Sequence, residues 1–570
     1  MLTRWVPSFF RRSVGPSRLH PVRPIEKRFF GKTRIVIEGS TKAPSVNTVE
    51  LKPFNKLRTV SKKTGIPTSH ILKALCTREG KSFYLKDTEG IDHCFQNERD
   101  IVFPYSVLES YLTKCKKVCR CVEVDPENGE NTCVETKNMG LRQSVFSVVG
   151  EMDHGKTTLL DYLQHSSIQK QEFGGTTQLI RANQVALTDS QSKIYPCTIL
   201  DTPGQSCFSN IRENGSVLSD LSIYVVSLSE GPSDEARVIL SQLKENRVPV
   251  VIVFTKSDLV SEDRKNSIQR QLLHLAEELS VPIGDFSLSS SLPVDTFIIS
   301  CVSGEGIPHL QQRLVELGTE LCRSVPLDVP AEASVLDSLL VPSQGLVLRA
   351  LVQQGTLRVR DEFVCGLFSG RVRSLVDLKS RTVQSALPGT VVNVLGARKL
   401  PAGMRRNSLL LPSGHTLFVR SAKEIEAIKE QRMLEYAFQS SRCATEAEDT
   451  AEYEAAVSSG GEREVVDGEE YVELKKQPVI VVADNANSLN ILLDALSQKP
   501  LVSVVRTRVG QILESDVREC EQSEVRLVSF NVEAPPKAHL GKKLVYSRLM
   551  SELLENIKRL FDWGTLLHLY

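Results

Sequence analysis

Eight consecutive residues, GEMDHGKT at positions 150–157, constrain the fold of this chain more than any other part of its sequence. They satisfy the pattern G-x4-G-K-[ST]. They also lie between an apolar run that ends at Val149 and the helical pattern KTTLLDYL. A strand, a glycine-containing turn and a helix in this order form a loop whose backbone N–H groups surround phosphates. The sequence therefore predicts a phosphate-binding loop, in preference to a purely structural glycine turn.

This loop supplies most of the predicted nucleotide contacts. Lys156 is expected to reach the β- and γ-phosphates, and the hydroxyl of Thr157 is expected to bind Mg²⁺. The other loop residues of the predicted site are Gly150, Asp153, His154, Gly155 and Thr158.

A second motif, DTPGQSCF at positions 201–208, begins where the apolar run YPCTIL ends. An aspartate roughly 45 residues after a phosphate-binding loop usually holds the metal through water, so we predict Asp201 as a metal ligand rather than a strand-end cap. Gly204 has no side chain to keep its N–H from the γ-phosphate, and Gln205 would lie beside the attacking water. The predicted catalytic residues are Gln205, Lys156 and Gly204.

The motif TKSD at positions 255–258 is predicted to select the base. The Asp258 carboxylate can accept hydrogen bonds from N1–H and the 2-amino group of guanine, whereas adenine would leave it unpaired. The stem of Lys256 would cover the base, and the SCV segment at positions 300–302 would offer N–H groups to guanine O6. The expected ligands are GTP or GDP with Mg²⁺. The base-side residues of the predicted site are Thr255, Lys256, Asp258, Ser300, Cys301 and Val302.

Apolar runs around these motifs predict the architecture. Between positions 144 and 300 they alternate with helical patterns such as Glu235 to Asn246, which favours a doubly wound, mainly parallel sheet. Short strands and turns after Ala331 predict a small β-barrel, and a last α/β unit begins at Pro478. The predicted fold class is α/β. It comprises a P-loop GTPase domain, a small β-barrel, a further α/β domain and a small helical N-terminal module.

We divide the 570 residues into six predicted segments. They are a basic leader (1–40), a helical N-terminal module (50–125), a GTP-binding domain (141–324), a β-barrel (331–421), a helix with an acidic linker (422–476) and an α/β domain (477–570). Residues 445–471 contain ten acids against Arg463 alone, which favours a flexible linker over a solvated helix face.

Charge and cysteine content add expectations about location and partners. The first 40 residues hold nine Lys or Arg against two Glu, which predicts an organelle transit peptide, mitochondrial in preference to plastid, over a disordered basic tail. The net charge of +1 provides no global attraction for nucleic acid. No apolar run long enough for a membrane span occurs. The cysteines at 115, 119, 121 and 133 lack paired zinc-site spacing, so ordinary thiols are expected.

In their order and spacing, these motifs resemble the translational GTPases, and more closely the initiation factor 2 family of bacteria and mitochondria. FGGTTQ at 173–178 is similar to a switch segment of that family, and residues 201–231 follow its next switch nearly position by position. Residues 353–366, 506–517 and 61–75 are similar to its barrel, third domain and N-terminal helical module. The likeness covers most of residues 57–560 and implies that Thr177 also binds Mg²⁺.

The resemblance implies a monomeric, GTP-hydrolysing initiation factor that acts on organellar ribosomes through rRNA and ribosomal proteins. It would promote initiation-complex formation and subunit joining. The γ-phosphate would order residues 171–182 and 201–215, and hydrolysis would release them. The family has histidine at Glu151 and at Gln205, and asparagine at Thr255. Its C-terminal barrel, which holds initiator tRNA, has no counterpart before Tyr570, so tRNA binding is not carried over; a truncated gene model is one explanation.

Two alternatives stay open on the residues alone. A GTP-binding scaffold or assembly protein with little hydrolysis would fit the substitutions at Glu151, Gln205 and Thr255. A nucleic-acid-binding regulator would act through the helix-turn-helix pattern at 57–79.

Overall fold

A computed structural model describes most of the chain. The described residues are 48–79, 82–88, 90–115, 117–122, 124, 138–164, 180–188, 193–204, 215, 217–279, 296–341, 343–397, 414–441, 477–497, 499, 502–535 and 540–561. The predicted leader and acidic linker lie outside these ranges, as do Thr177 and Gln205.

The N-terminal module combines helices with short strands. The predicted helix-turn-helix is present, and Gly65 ends its first helix with a left-handed φ of 70°. The strands were not predicted, because pieces of three to five residues with mixed burial give no clear alternation. The elements are β1 (Thr48–Leu51), β2 (Phe54–Lys56), α1 (Leu57–Thr64), α2 (Thr68–Leu75), β3 (Cys76–Glu79), β4 (Ser82–Lys86), β5 (Asp92–Phe95), β6 (Val102–Pro104), α3 (Tyr105–Lys114) and β7 (Val118–Cys121).

A six-stranded sheet forms the predicted GTP-binding domain. Its strand order is β10-β11-β9-β12-β13-β14, and every pairing is parallel except that of β10 with β11. Apolar cores cover both faces of the sheet. The elements are β8 (Met139–Leu141), β9 (Val145–Gly150), α4 (Lys156–Gln164), β10 (Arg181–Thr188), β11 (Ile194–Asp201), β12 (Leu221–Ser227), α5 (Asp234–Glu245), β13 (Val250–Thr255), α6 (Glu262–Glu278), β14 (Thr296–Ile298), α7 (Ile307–Glu320) and β15 (Ser324–Pro326).

The predicted barrel is also present. Strands β19, β24, β16, β17, β23 and β20 follow one another, and the pairing of β19 with β20 closes the ring around an apolar core. The elements are β16 (Glu332–Val341), β17 (Gly345–Gln354), β18 (Leu357–Arg358), β19 (Glu362–Cys365), β20 (Phe368–Asp377), β21 (Thr382–Val383), β22 (Ser385–Ala386), β23 (Val391–Ala397) and β24 (Thr416–Val419).

The last domain has a four-stranded, fully parallel sheet in the order β26-β25-β27-β28. Its elements are β25 (Gln477–Ala483), α9 (Ala486–Ser497), β26 (Val502–Val509), α10 (Glu514–Gln522), β27 (Arg526–Phe530), β28 (Leu544–Ser547) and α11 (Met550–Phe561). None of the helices in the described ranges is both long enough and apolar enough to cross a membrane.

The long helix α8 (Ala422–Ser440) lies between the barrel and the N-terminal module. Its residues Leu434 and Phe438 join the core of that module, and the Phe438 ring stacks on buried His93 with 3.9 Å between ring centroids. On the barrel side, Arg432 Nη1 donates to the carbonyl of Gly366 at 2.8 Å. The helix therefore fixes the position of the N-terminal module against the barrel.

A buried ion pair lies where the predicted GTP-binding domain meets the barrel. Arg142 donates to both carboxylate oxygens of Asp220, at 2.8 and 2.9 Å, and to Gln353 of β17 at 2.8 Å. Nearby, the hydroxyl of Thr198 donates to the barrel carbonyl of Gly389 at 2.7 Å. These two hydrogen bonds to the barrel cross the domain boundary, and the one from the charged Arg142 contributes about 1.5–3 kcal/mol to the observed domain arrangement.

A buried carboxylate lies near the contact between the barrel and the last domain. Asp337 of β16 is 2 % exposed, and its Oδ1 accepts a hydrogen bond from the Ser338 N–H at 2.8 Å. Burial is the largest effect and raises the pKa of Asp337; the Ser338 N–H and Arg349 oppose it, Asp484 adds a small increase, and the resulting pKa is about 7. Two residues further along β16, Leu339 forms an isolated bridge with Asn485.

We expect the Asp337→Asn variant to be more stable than the wild type at about pH 8. Since the native pKa is raised, protonation of Asp337 favours the folded chain at low pH. That contribution is lost as pH rises through about 7. The difference in melting temperature between the two proteins should therefore shrink toward about pH 5. Calorimetric melting across this range, with exposed Asp328→Asn as the control, measures it; a pH-independent difference would contradict the assignment.

Candidate nucleotide-binding site

The predicted phosphate-binding loop connects β9 to α4 along a path that needs glycine at its start. Gly150 has φ of 155°, and a Cβ there would collide with the carbonyl oxygen of Val225 on β12. Asp153 and Gly155 take left-handed φ values of 60° and 88°. The loop thus turns tightly between the central strand and the helix, which leaves its backbone N–H groups at the N-terminus of α4, where anions bind.

Lys156 lies inside this loop. It is 6 % exposed, and its ammonium donates to the carbonyl of Glu151 at 2.5 Å. Gly204 packs against the same place, since a Cβ at Gly204 would collide with Lys156 Nζ and the backbone nitrogen of Met152. The structure therefore brings together two of the three predicted catalytic residues. The third, Gln205, lies outside the described residues.

The predicted metal ligands Thr157 and Asp201 are in direct contact. The Thr157 hydroxyl donates to Asp201 Oδ2 at 3.2 Å, and Asp201 is 1 % exposed at the end of β11. A hydroxyl and a carboxylate are oxygen ligands of the kind that Mg²⁺ prefers, so these two residues fit the ion. Thr158 follows them in the first turn of α4. The further predicted ligand, Thr177, falls outside the described ranges.

The predicted base-side residues also lie together. The hydroxyl of Ser300 donates to Asp258 Oδ1 at 2.6 Å, and it accepts from the N–H groups of Val302 and Ser303 at 3.3 and 3.2 Å. Burial, with a smaller effect from Asp258, raises the pKa of the Cys301 thiol to about 11, so this thiol is protonated at neutral pH. The Asp258 carboxylate therefore fixes the Ser300 hydroxyl, which in turn holds the N–H groups of the turn at 300–303.

Thr255 joins the base side to the phosphate side. Its hydroxyl donates to the carbonyl of His154 at 2.6 Å, and the side chain is buried. The imidazole of His154 is buried as well. Burial lowers its pKa, an effect that the carboxylates of Glu151 and Glu230 oppose. A threonine at this position therefore makes a direct link between the two loops.

Three residues that sequence reasoning did not assign to the site support it. Glu151 turns away from the loop interior, and its carboxylate accepts from the N–H of Ser233 at 3.1 Å and from the Ser233 hydroxyl at 2.5 Å. Glu230 pairs with Lys256 at 2.7 Å. Their position in the sequence could have identified Glu230 and Ser233, because both follow β12 at the sheet edge where the phosphate loop lies.

Outside this site, the cysteine cluster gives no metal centre in the part of the chain that the structure describes. Cys115, Cys119 and Cys121 form no disulfide within the described ranges. No group of three or more His, Cys, Asp or Glu side chains in the described ranges is placed to hold a metal ion. Cys133 is not among the described residues.

Three family models match successive parts of the chain. The model described as "Elongation factor Tu GTP binding domain" matches residues 142–320, and "Elongation factor G domain 2" matches residues 330–404. "Translation-initiation factor 2" matches residues 454–544. The first two matches coincide with the domain of the six-stranded sheet and with most of the barrel.

Curated relatives give the same result over a longer span. "Translation initiation factor IF-2" of Aquifex aeolicus (strain VF5) is 30% identical over 435 residues, which cover 73% of this chain and 48% of the relative. The protein of the same name from Leuconostoc citreum (strain KM20) is 29% identical over 415 residues, covering 72% and 45%. The chain spans about half the length of these relatives.

Among solved structures, GDP-bound aIF5B from Aeropyrum pernix matches at 23% identity with a TM-score of 0.40. The match covers 75% of this chain and 76% of that one.

We expect Thr255→Val to release bound guanosine diphosphate on the order of tenfold faster than the wild type. The variant keeps the shape of the side chain but leaves the buried carbonyl of His154 without its donor, a loss of about 1–2 kcal/mol. Thr255→Ser restores the hydroxyl and should restore the rate. Stopped-flow dissociation of a fluorescent GDP analogue measures all three proteins. Equal rates for the three would show that the link does not support nucleotide binding.

Proposed function

The chain belongs to the translation initiation factor 2 family of translational GTPases, and we propose that it binds and hydrolyses GTP during translation initiation. One observation carries this proposal. A phosphate-binding loop, a hydroxyl–carboxylate pair suited to Mg²⁺ and a carboxylate suited to guanine lie at one edge of one sheet, at the ends of β9, β11 and β13. That combination selects a guanine nucleotide and holds its phosphates at the same time.

In this proposal the described residues act mainly by binding and orienting. The Lys156 ammonium and the loop N–H groups attract the phosphates, and charge that develops on them during hydrolysis is stabilised by the same groups. Thr157 and Asp201 would hold Mg²⁺, which neutralises phosphate charge when bound. The N–H of Gly204 would face the γ-phosphate, and Gln205 would orient the attacking water. Asp258 would accept from N1–H and the 2-amino group of the base.

We further propose that the ribosome stimulates hydrolysis and that the working ribosome is organellar, mitochondrial rather than plastid. The arginine-rich, acid-poor leader supports the location. The relatives named initiation factor support the ribosome as partner. Promotion of initiation-complex formation and subunit joining belongs to the same proposal.

We expect Gln205→Ala to reduce ribosome-stimulated phosphate release by about 100-fold or more while GTP affinity stays the same, because only the orientation of water changes. Phosphate release is measured with mitochondrial ribosomes, with cytosolic ribosomes and with none. Gln271→Ala, on the exposed face of α6, is the matched control. Stimulation by mitochondrial ribosomes alone supports the whole proposal. Tight GTP binding without release in any arm would favour a GTP-binding scaffold instead.

We expect Asp258→Asn to weaken GTP binding by about 100-fold and to admit xanthosine triphosphate, since an amide can donate to the 2-oxo group that xanthine carries in place of the guanine amine. Competition between the two nucleotides for the purified proteins measures the selectivity. Asp263→Asn, an exposed carboxylate in the first turn of α6, is the control. Unchanged base selectivity in Asp258→Asn would exclude this carboxylate as the base reader.

A further inference from the structure

The lysine of the base-side loop is joined to a carboxylate from the neighbouring strand. Lys256 Nζ lies 2.7 Å from Glu230 Oε1. Lys256 directly follows β13, Glu230 follows β12, and these strands run parallel with Ser227 opposite Thr255. We propose that Glu230 is a positioning residue for guanine nucleotide binding that acts through Lys256. This inference rests on the proposed binding of GTP.

Folding stability does not account for this ion pair. The side chains of Lys256 and Glu230 are 29 % and 48 % exposed, and pairs exposed to this degree contribute little to stability. Lys256 also takes a left-handed φ of 58°, which is unfavourable for a residue with a Cβ. A strained backbone that presents a paired lysine beside Asp258 is better explained by binding than by folding.

The pair lowers the cost of binding a base. A lysine stem is flexible, and fixing it when a ligand arrives costs conformational entropy. Because Glu230 already holds the ammonium, the stem is restrained before the nucleotide enters, and part of that cost is removed from the binding step. Any purine would benefit, since the stem contacts the face of the ring and reads none of its edge groups.

Glu230 also lies close to the phosphate side of the site. Its Oε2 lies 3.7 Å from Nε2 of His154, whose carbonyl accepts the hydrogen bond from Thr255. Since burial lowers the pKa of His154, the imidazole is neutral at neutral pH, and Lys256 is the cation that Glu230 binds. The carboxylate therefore stands between the phosphate loop and the base loop, where it can fix Lys256 relative to both.

A double-mutant cycle tests the proposal. Dissociation rates of fluorescent GDP and of the corresponding inosine diphosphate, which lacks the 2-amino group, are measured for wild type, Glu230→Gln, Lys256→Met and the double variant. We expect Glu230→Gln to release both nucleotides about three- to tenfold faster, with the ratio between the two nucleotides unchanged. The double variant should be no faster than Lys256→Met alone, because Glu230 acts only through that lysine.

Glu278→Gln is the matched control, because Glu278 forms a similarly exposed pair with Arg237 elsewhere in the domain. It should leave both rates unchanged. A change in the GDP-to-inosine ratio in Glu230→Gln would mean that the variant displaces Asp258 and loosens the whole loop, which overturns the positioning role. Additive losses in the double variant, or no effect of Glu230→Gln, would overturn it as well. These results leave the proposed GTP binding intact, whereas a wild type that binds neither nucleotide would overturn both.

Discussion

Burial of the central strands on both faces is the constraint on which the nucleotide site depends. Every residue of β9, β12 and β13 is buried, as are the last five residues of β11, so charged groups must emerge where the strands end. Parallel pairing places those ends at a common sheet edge, which is where open α/β sheets bind ligands. The phosphate loop, Asp201 and the base loop meet there because their strands lie within the run β11-β9-β12-β13 of one sheet, although more than 100 residues separate the first from the last.

Sequence reasoning predicted the parts of the molecule whose geometry is local. A few consecutive residues are enough to recognise the loop at 150–157, the motif that begins at Asp201 and the TKSD segment. Long apolar runs identified the strands that precede them. Glu230 and Ser233 were missed because they are single polar residues whose role depends on partners in other segments. The docking of α8 on the N-terminal module was missed for the same reason, since Leu434 and Phe438 resemble any apolar helix face.

The contact made by Thr255 shows that a short hydroxyl side chain is enough to link the phosphate loop to the base loop. The asparagine expected from the family resemblance has a longer, amide-bearing side chain. Here the shorter hydroxyl reaches the carbonyl of His154 at 2.6 Å, and a Cβ on Gly155 would lie only 3.5 Å from the same hydroxyl. The two loops therefore approach closely enough for a hydroxyl to span them, so the residue type at 255 does not by itself imply a weaker site.

The same strand that ends in the phosphate loop begins at the contact with the barrel. Val145, the first residue of β9, donates to the carboxylate of Asp220 at 2.9 Å, and Asp220 is paired with Arg142, which reaches the barrel residue Gln353. Both charges of this ion pair lie on the same side of the domain boundary, and only the hydrogen bond from Arg142 to Gln353 crosses it. The barrel can therefore change its position relative to β9 by exchanging that hydrogen bond, which costs much less than separating two buried charges.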